Sequence, residues 1–154
     1  MKVELTTVAD TRAFGRELAG ILRAGDLVVL TGPLGAGKTA LAQGIGSGLG
    51  VMGTVTSPTF VISRVHRPDP ARGGTVPLVH VDAYRLGGVA EVDDLDLDAS
   101  LEDSVTLVEW GADLVEQLSD AHLEARITRM DDDSRLIELV GHGGDWATRV
   151  TELG

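Results

Sequence analysis

Eight consecutive residues, Gly32-Pro33-Leu34-Gly35-Ala36-Gly37-Lys38-Thr39, carry the spacing G-x-x-x-x-G-K-T. The chemistry this pattern serves is the holding of phosphate. Glycine lets successive backbone N–H groups converge on phosphate oxygens where a side chain would block the approach. Lys38 supplies a mobile positive charge for the β- and γ-phosphates, and the Thr39 hydroxyl is a ligand type for Mg²⁺. Gly32, Leu34, Gly35, Ala36, Gly37, Lys38, Thr39 and Ala40 are thus the candidate phosphate cradle. A nucleotide-hydrolysing loop also needs a carboxylate at a neighbouring strand end, to hold the metal or orient the attacking water. Two are available: Asp82 ends VPLVHVD and Glu109 ends VTLVE.

Other residues fit the same chemistry with a bland reading beside it. Arg85 suits phosphate charge in the manner of an arginine finger, or an ion pair with Asp82 or Glu91. Ser57 and Thr59 flank Pro58 in a loop that fits either a switch closing on the γ-phosphate or ordinary turn chemistry. Trp110 reads as a core residue more readily than as a ligand contact. His66, His80, His122 and His142 lack metal-ligand spacing, and none is assigned to a metal.

The elements that must position these groups are legible around the loop. Leu27–Thr31 (LVVLT) is a short buried-strand run entering it. After it Leu41, Ala42, Ile45 and Leu49 recur at helical spacing over residues 38–49, with Gly50 as the stop. Gly44, Gly46 and Gly48 each weaken that helix by about 1 kcal/mol relative to alanine, so packing and nucleotide are expected to hold it. An earlier helix is expected over Thr11–Leu22 with Asp10 as N-cap, preceded by a weak edge strand at 3–6. Strands are expected at Phe60–Val65, Pro77–Asp82 and Val105–Val108, and a short helix at Ala112–Leu118. Residues 66–75 read as an exposed loop. Residues 91–103 hold seven acidic side chains and no basic one, read as a solvated acidic face over a short helix, with a docking surface for a basic partner as the less favoured account. Leu123–Met130 and Arg135–Val140 form a hairpin around Asp131-Asp132-Asp133-Ser134. Residues 143–154 read as a loosely anchored tail. The order predicts one α/β domain over residues 1–154, a three-layer P-loop NTPase-like fold with a mostly parallel central sheet and a C-terminal β-hairpin. Its ligand belongs at the C-terminal end of the second strand.

Composition narrows the function classes. At 154 residues, 43% hydrophobic and 24% charged, the chain suits one soluble domain. It has no run of membrane-span length and no apolar signal-peptide core at its N-terminus. There is no cysteine, which excludes disulfides and fits a cytoplasmic setting. A net charge of −11 argues against a surface that binds nucleic acid broadly. It suits protein partners and a small anionic ligand held by a focused basic site.

Taken together, T-G-P-L-G-A-G-K-T (31–39), T-S-P-T-F (56–60), H-V-D-A-Y-R-L (80–86) and V-E-W (108–110) resemble the signature set of the TsaE family, also called YjeE. This is the small P-loop ATPase of bacterial tRNA N6-threonylcarbamoyladenosine (t6A) biosynthesis. The resemblance implies ATP and Mg²⁺ as ligands, and TsaB and TsaD as partners. TsaD is the enzyme that transfers threonylcarbamoyl to A37 of tRNAs reading ANN codons, and tRNA is reached only through the complex. By position, Lys38, Asp82 and Glu109 match catalytic residues, Thr39 and Glu109 the Mg²⁺ ligands, and Asp82 the acid near the γ-phosphate. Thr59, Tyr84, Arg85 and Trp110 match further motif positions. Family likeness also places Thr6, Thr7, Thr11, Ser134 and Arg135 near the adenine. Two other classes stay open on the residues alone: a small-molecule P-loop phosphotransferase, and a nucleotide-dependent switch with negligible turnover. Neither an arginine-rich lid nor a second acceptor pocket is visible in the sequence, which counts against the first.

Overall fold

The computed structural model describes residues 1–32, 37–51, 63–82, 103–109, 121–132 and 134–153. The phosphate-loop strand stands at the centre of their seven-stranded sheet. With β1 Lys2–Leu5, β2 Leu27–Thr31, β3 Ser63–His66, β4 Leu78–Asp82, β5 Val105–Glu109, β6 His122–Arg129 and β7 Arg135–His142, the order is β1-β7-β6-β2-β5-β4-β3. Strand β2 pairs parallel with both β5 and β6, and β4 pairs parallel with β5. The edges are antiparallel: β3 on β4, and β7 on β6 with β1 outside it. This is the expected mixed α/β sheet, parallel at its centre and closed by the C-terminal hairpin. Buried apolar runs suit central strands covered on both faces.

Helices α1 (Val8–Ala19) and α2 (Lys38–Leu49) pack on each other and on one face of the sheet. Phe14, Leu18, Leu41, Ala42 and Ile45 meet Val28, Leu30, Leu107, Leu123, Ala125, Ile127 and Ile137 in one core. The opposite face carries Val29, Val79, Val81, Thr106 and Val108, all buried. The helices expected within 91–103 and 112–118 lie outside the described residues. Among the described residues no helix is long and apolar enough to cross a membrane.

Helix α2 occupies the residues its spacing predicts. Its glycines have a use that propensity alone hides. A Cβ on Gly44 would stand 2.2 Å from the Arg12 carbonyl oxygen, and one on Gly15 2.6 Å from the Leu41 carbonyl oxygen. The two helices therefore cross closer than any side chain at these positions allows.

Several boundaries differ from the sequence reading. Helix α1 begins at Val8 rather than Thr11, because Thr7, not Asp10, is the N-cap. Thr7 has extended backbone (φ −130°, ψ 164°) and its hydroxyl accepts from the Asp10 N–H at 3.0 Å. Asp10 instead lies in the first turn, where its negative charge meets the helix's positive end. Strand β3 is described only from Ser63, since residues 60–62 lie outside the described set. The loop at 66–75 is exposed at Pro70–Gly73 but pinned at its base. There the Asp69 N–H donates to the Gly50 carbonyl at 2.8 Å, and the Arg72 guanidinium donates to the Val51 carbonyl at 2.7 Å.

The expectation of a loosely anchored tail is corrected most clearly. Residues Trp146–Val150 form a short helix, α3, with Trp146 and Arg149 both buried. The Arg149 guanidinium forks onto both carboxylate oxygens of Asp26, donates to the Ile21 carbonyl and lies 4.0 Å over the Trp146 ring. Bidentate, charge-assisted contacts of this kind hold an arginine in one geometry.

Candidate nucleotide site

The site is assembled where β2 ends. Cross-strand register puts Glu109 beside Leu30 on one side and beside Asp82 on the other. Glu109 therefore ends the strand next to the one that enters the phosphate loop, and Asp82 ends the strand beyond it. Glu109 is almost wholly buried, at 3% exposure. It shares a sheet face with His80, whose Nε2 lies 3.7 Å from Glu109 Oε2. Glu109 Oε1 is buried without a hydrogen-bond partner. A buried, unsatisfied carboxylate oxygen is costly, and a catalytic role or a bound ion is among the few things that account for one.

Lys38, the first residue of α2, is buried at 6% exposure, and its ammonium donates to the Gly32 carbonyl at 2.7 Å. This bond ties the first glycine of the motif to its lysine and draws the loop ends together. Gly37 is the N-cap of α2 at φ +111°, a backbone conformation that favours glycine. Gly37 offers no side chain to cap this helix, and the positive end of the helix dipole, which favours negative charge, stands at the loop. Thr39 is exposed on the first turn, and Ala40 follows it half-buried.

Arg135 opens strand β7, and its side chain runs alongside Gly37: a Cβ there would stand 3.4 Å from Arg135 Nε. The end of the hairpin thus brings a cation to the loop helix. Ser134 precedes it, buried, with its N–H and hydroxyl both donating to Asp132 Oδ1. That bond holds the Asp132 carboxyl below the usual carboxylate range. Thr6, Thr7 and Thr11 are gathered with one another at the opening of α1. The Thr6 hydroxyl donates to Asp10 and the Thr11 hydroxyl to the Thr7 carbonyl. Leu34, Gly35, Ala36, Ser57, Thr59, Tyr84, Arg85 and Trp110 lie outside the described residues.

Two features of this region escaped the sequence reading. His80 reads as a polar interruption of an apolar strand, and its alternation with Asp82 was the available signal. The second is a polar group at the end of β2. Glu124 is held below the usual carboxylate range chiefly by its hydrogen bond from Arg126, with His142 adding to the effect against burial. It also receives the Thr31 hydroxyl at 3.4 Å, one residue before the loop.

Residues 5–137 match the family model described as threonylcarbamoyl adenosine biosynthesis protein TsaE. The chain belongs to the TsaE family. It is 58% identical over 142 residues to the Streptomyces coelicolor tRNA threonylcarbamoyladenosine biosynthesis protein TsaE, covering 89% of this chain and 94% of that one. The protein of that name from Mycobacterium tuberculosis is 52% identical over 132 residues, covering 82% of this chain and 77% of its own. That of Bacillus subtilis is 37% identical over 145 residues, covering 94% and 87%. Among solved structures, the crystal structure of Bacillus subtilis YdiB superposes with a TM-score of 0.77 at 30% identity, covering 99% of this chain and 93% of that one. Family membership places this chain with proteins of t6A biosynthesis, and the neighbour agrees with a P-loop NTPase-like fold.

Proposed function

We propose that this protein is the Mg²⁺-dependent ATPase subunit of t6A biosynthesis, acting on a TsaB–TsaD complex rather than transferring threonylcarbamoyl itself. The observation that carries this reading is Lys38 bonded to the first loop glycine just past β2, with buried Glu109 in register with Leu30 at the end of the next strand, in a chain of the TsaE family. Its relatives are named for tRNA threonylcarbamoyladenosine biosynthesis.

The residues fit Mg²⁺. Glu109 offers a buried carboxylate oxygen without a protein partner, Thr39 offers a hydroxyl, and hard oxygens are the donors this ion takes. Thr39 and Glu109 would hold the ion, which when bound neutralises charge building on the phosphates. Lys38 and the N-terminal end of α2 are assigned to bind and orient the β- and γ-phosphates of ATP. Asp82, beside Glu109 at the end of β4, is assigned to orient the attacking water. That water adds to the γ-phosphorus as the bond to the β-phosphate oxygen breaks, giving ADP and inorganic phosphate. Arg135, against Gly37, adds positive charge on the other side of the loop helix.

The test is reconstitution: TsaB, TsaD, threonylcarbamoyl donor and an ANN-reading tRNA, with and without this protein and ATP. More than one t6A formed per TsaD only when both are present supports the reading. The same yield without this protein overturns it.

A further inference from the structure

We infer that His80 is a positioning residue for Glu109: its Nε2–H holds the Oε2 edge of the carboxylate so that Oε1 faces the Mg²⁺-nucleotide. This rests on the ATPase reading above. His80 stands two positions before Asp82 on β4, and register sets Glu109 beside Asp82, which puts His80 and Glu109 on one face of the sheet. The imidazole is completely buried, and neither of its nitrogens has a hydrogen-bond partner. Oε1 of Glu109 is in the same condition.

A histidine kept only for packing would satisfy at least one ring nitrogen, because a buried imidazole with none is a standing penalty. On this face β4 otherwise presents Leu78 to the core, and a leucine at position 80 would fill the space without that penalty. What the imidazole does have is Glu109 Oε2, at 3.7 Å, just beyond hydrogen-bond reach. A small rotation of either side chain closes the distance. With Nε2 as donor, the neutral ring carries its lone pair on Nδ1. The carboxylate is then fixed by one oxygen and presents the other, as outer-shell partners do for metal-binding side chains.

The experiment compares wild type, His80→Phe, His80→Asn and His80→Gln, each with TsaB and TsaD. A glutamine amide N–H reaches the place of Nε2, whereas an asparagine amide reaches only that of Nδ1. Three readouts are taken: turnover against Mg²⁺ concentration, Mn²⁺ binding in the presence of a non-hydrolysable ATP analogue by electron paramagnetic resonance, and melting temperature. We expect the Phe and Asn variants to weaken Mn²⁺ binding and raise half-saturating Mg²⁺ by about 10–100-fold. kcat falls with them, while KM for ATP moves by less than about threefold, and Gln restores most of both losses. Wild-type behaviour of the Phe and Asn variants overturns the assignment. So does an equal loss in all three, which would mark the ring as packing alone. If the Phe variant does not fold, the contrast between Asn and Gln still decides. Wild-type protein without Mg²⁺-dependent turnover and without Mn²⁺ binding removes the ATPase reading, and the role of His80 with it. An unaffected His80→Asn in an active background removes the role of His80 alone.

Discussion

The Arg12 carbonyl oxygen lies 2.2 Å from where a Cβ on Gly44 would stand. Because Gly44 belongs to the helix that begins at Lys38, packing against α1 fixes the direction in which that helix points its N-terminus. Alanine at 44 would gain about 1 kcal/mol in helix propensity. Against that stands a contact with backbone, which cannot rotate aside, and overpacking of this sort costs about 1–3 kcal/mol or more. The clash wins. Gly44→Ala is expected to lower the melting temperature and weaken ATP binding together, read by calorimetry and by titration of a fluorescent ATP analogue. A variant more stable than wild type would contradict this packing.

Glu109→Gln keeps the shape of the side chain and removes its charge. Turnover is expected to fall by roughly 10²-fold or more, the scale of losing one preorganised charge-stabilising group. Nucleotide affinity should fall far less, because Lys38 and the N-terminus of α2 remain. Steady-state kinetics with partners, beside equilibrium ATP binding, separate the two effects.

The pair Arg149–Asp26 is buried on both sides, at 7% and 8% exposure. Removing one partner strands a charge, which costs about 3–5 kcal/mol, whereas replacing both with apolar groups is often neutral. Arg149→Met is therefore expected to lower the melting temperature by on the order of 10 °C. The double variant Arg149→Met/Asp26→Leu should recover most of that loss. Thermal unfolding of the three proteins checks both statements.

Glu124 gives an acid-side prediction. Its carboxyl sits below the usual range because Arg126 hydrogen-bonds to it, with further help from His142. The native state thus binds this proton less readily than the unfolded chain. Its stabilisation is full above the unfolded pKa and is lost as pH falls through the native one. Glu124→Gln should melt lower than wild type near neutrality, and the gap should shrink between about pH 5 and pH 3. A gap that widens on acidification would contradict the assignment.

The parts of the fold set by local pattern were readable from the sequence. Leu27–Thr31 and Lys38–Leu49 were placed by a run of buried β-formers and a helical period around a motif with fixed neighbours. The acids at 82 and 109 were placed because each ends an apolar run. Competing local signals misled the reading at α1, where Thr7 and Asp10 are both good caps and only backbone geometry chooses. Long-range pairing was invisible. Arg149 meets Asp26 across 123 positions, so the tail looked unanchored. Gly44 looked like a weak point until α1 was seen lying against it. His80 looked like an interruption for the same reason, since its partner Glu109 is on another strand.

The most direct measurement is Mg²⁺-ATP hydrolysis by the purified protein, alone and with TsaB and TsaD of the same organism, for wild type and Lys38→Ala. Slow release of phosphate by the protein alone, stimulation by the pair, and loss of both in Lys38→Ala are expected. Full hydrolysis by Lys38→Ala, or wild-type hydrolysis and ATP affinity that the partners leave unchanged, would contradict the ATPase reading.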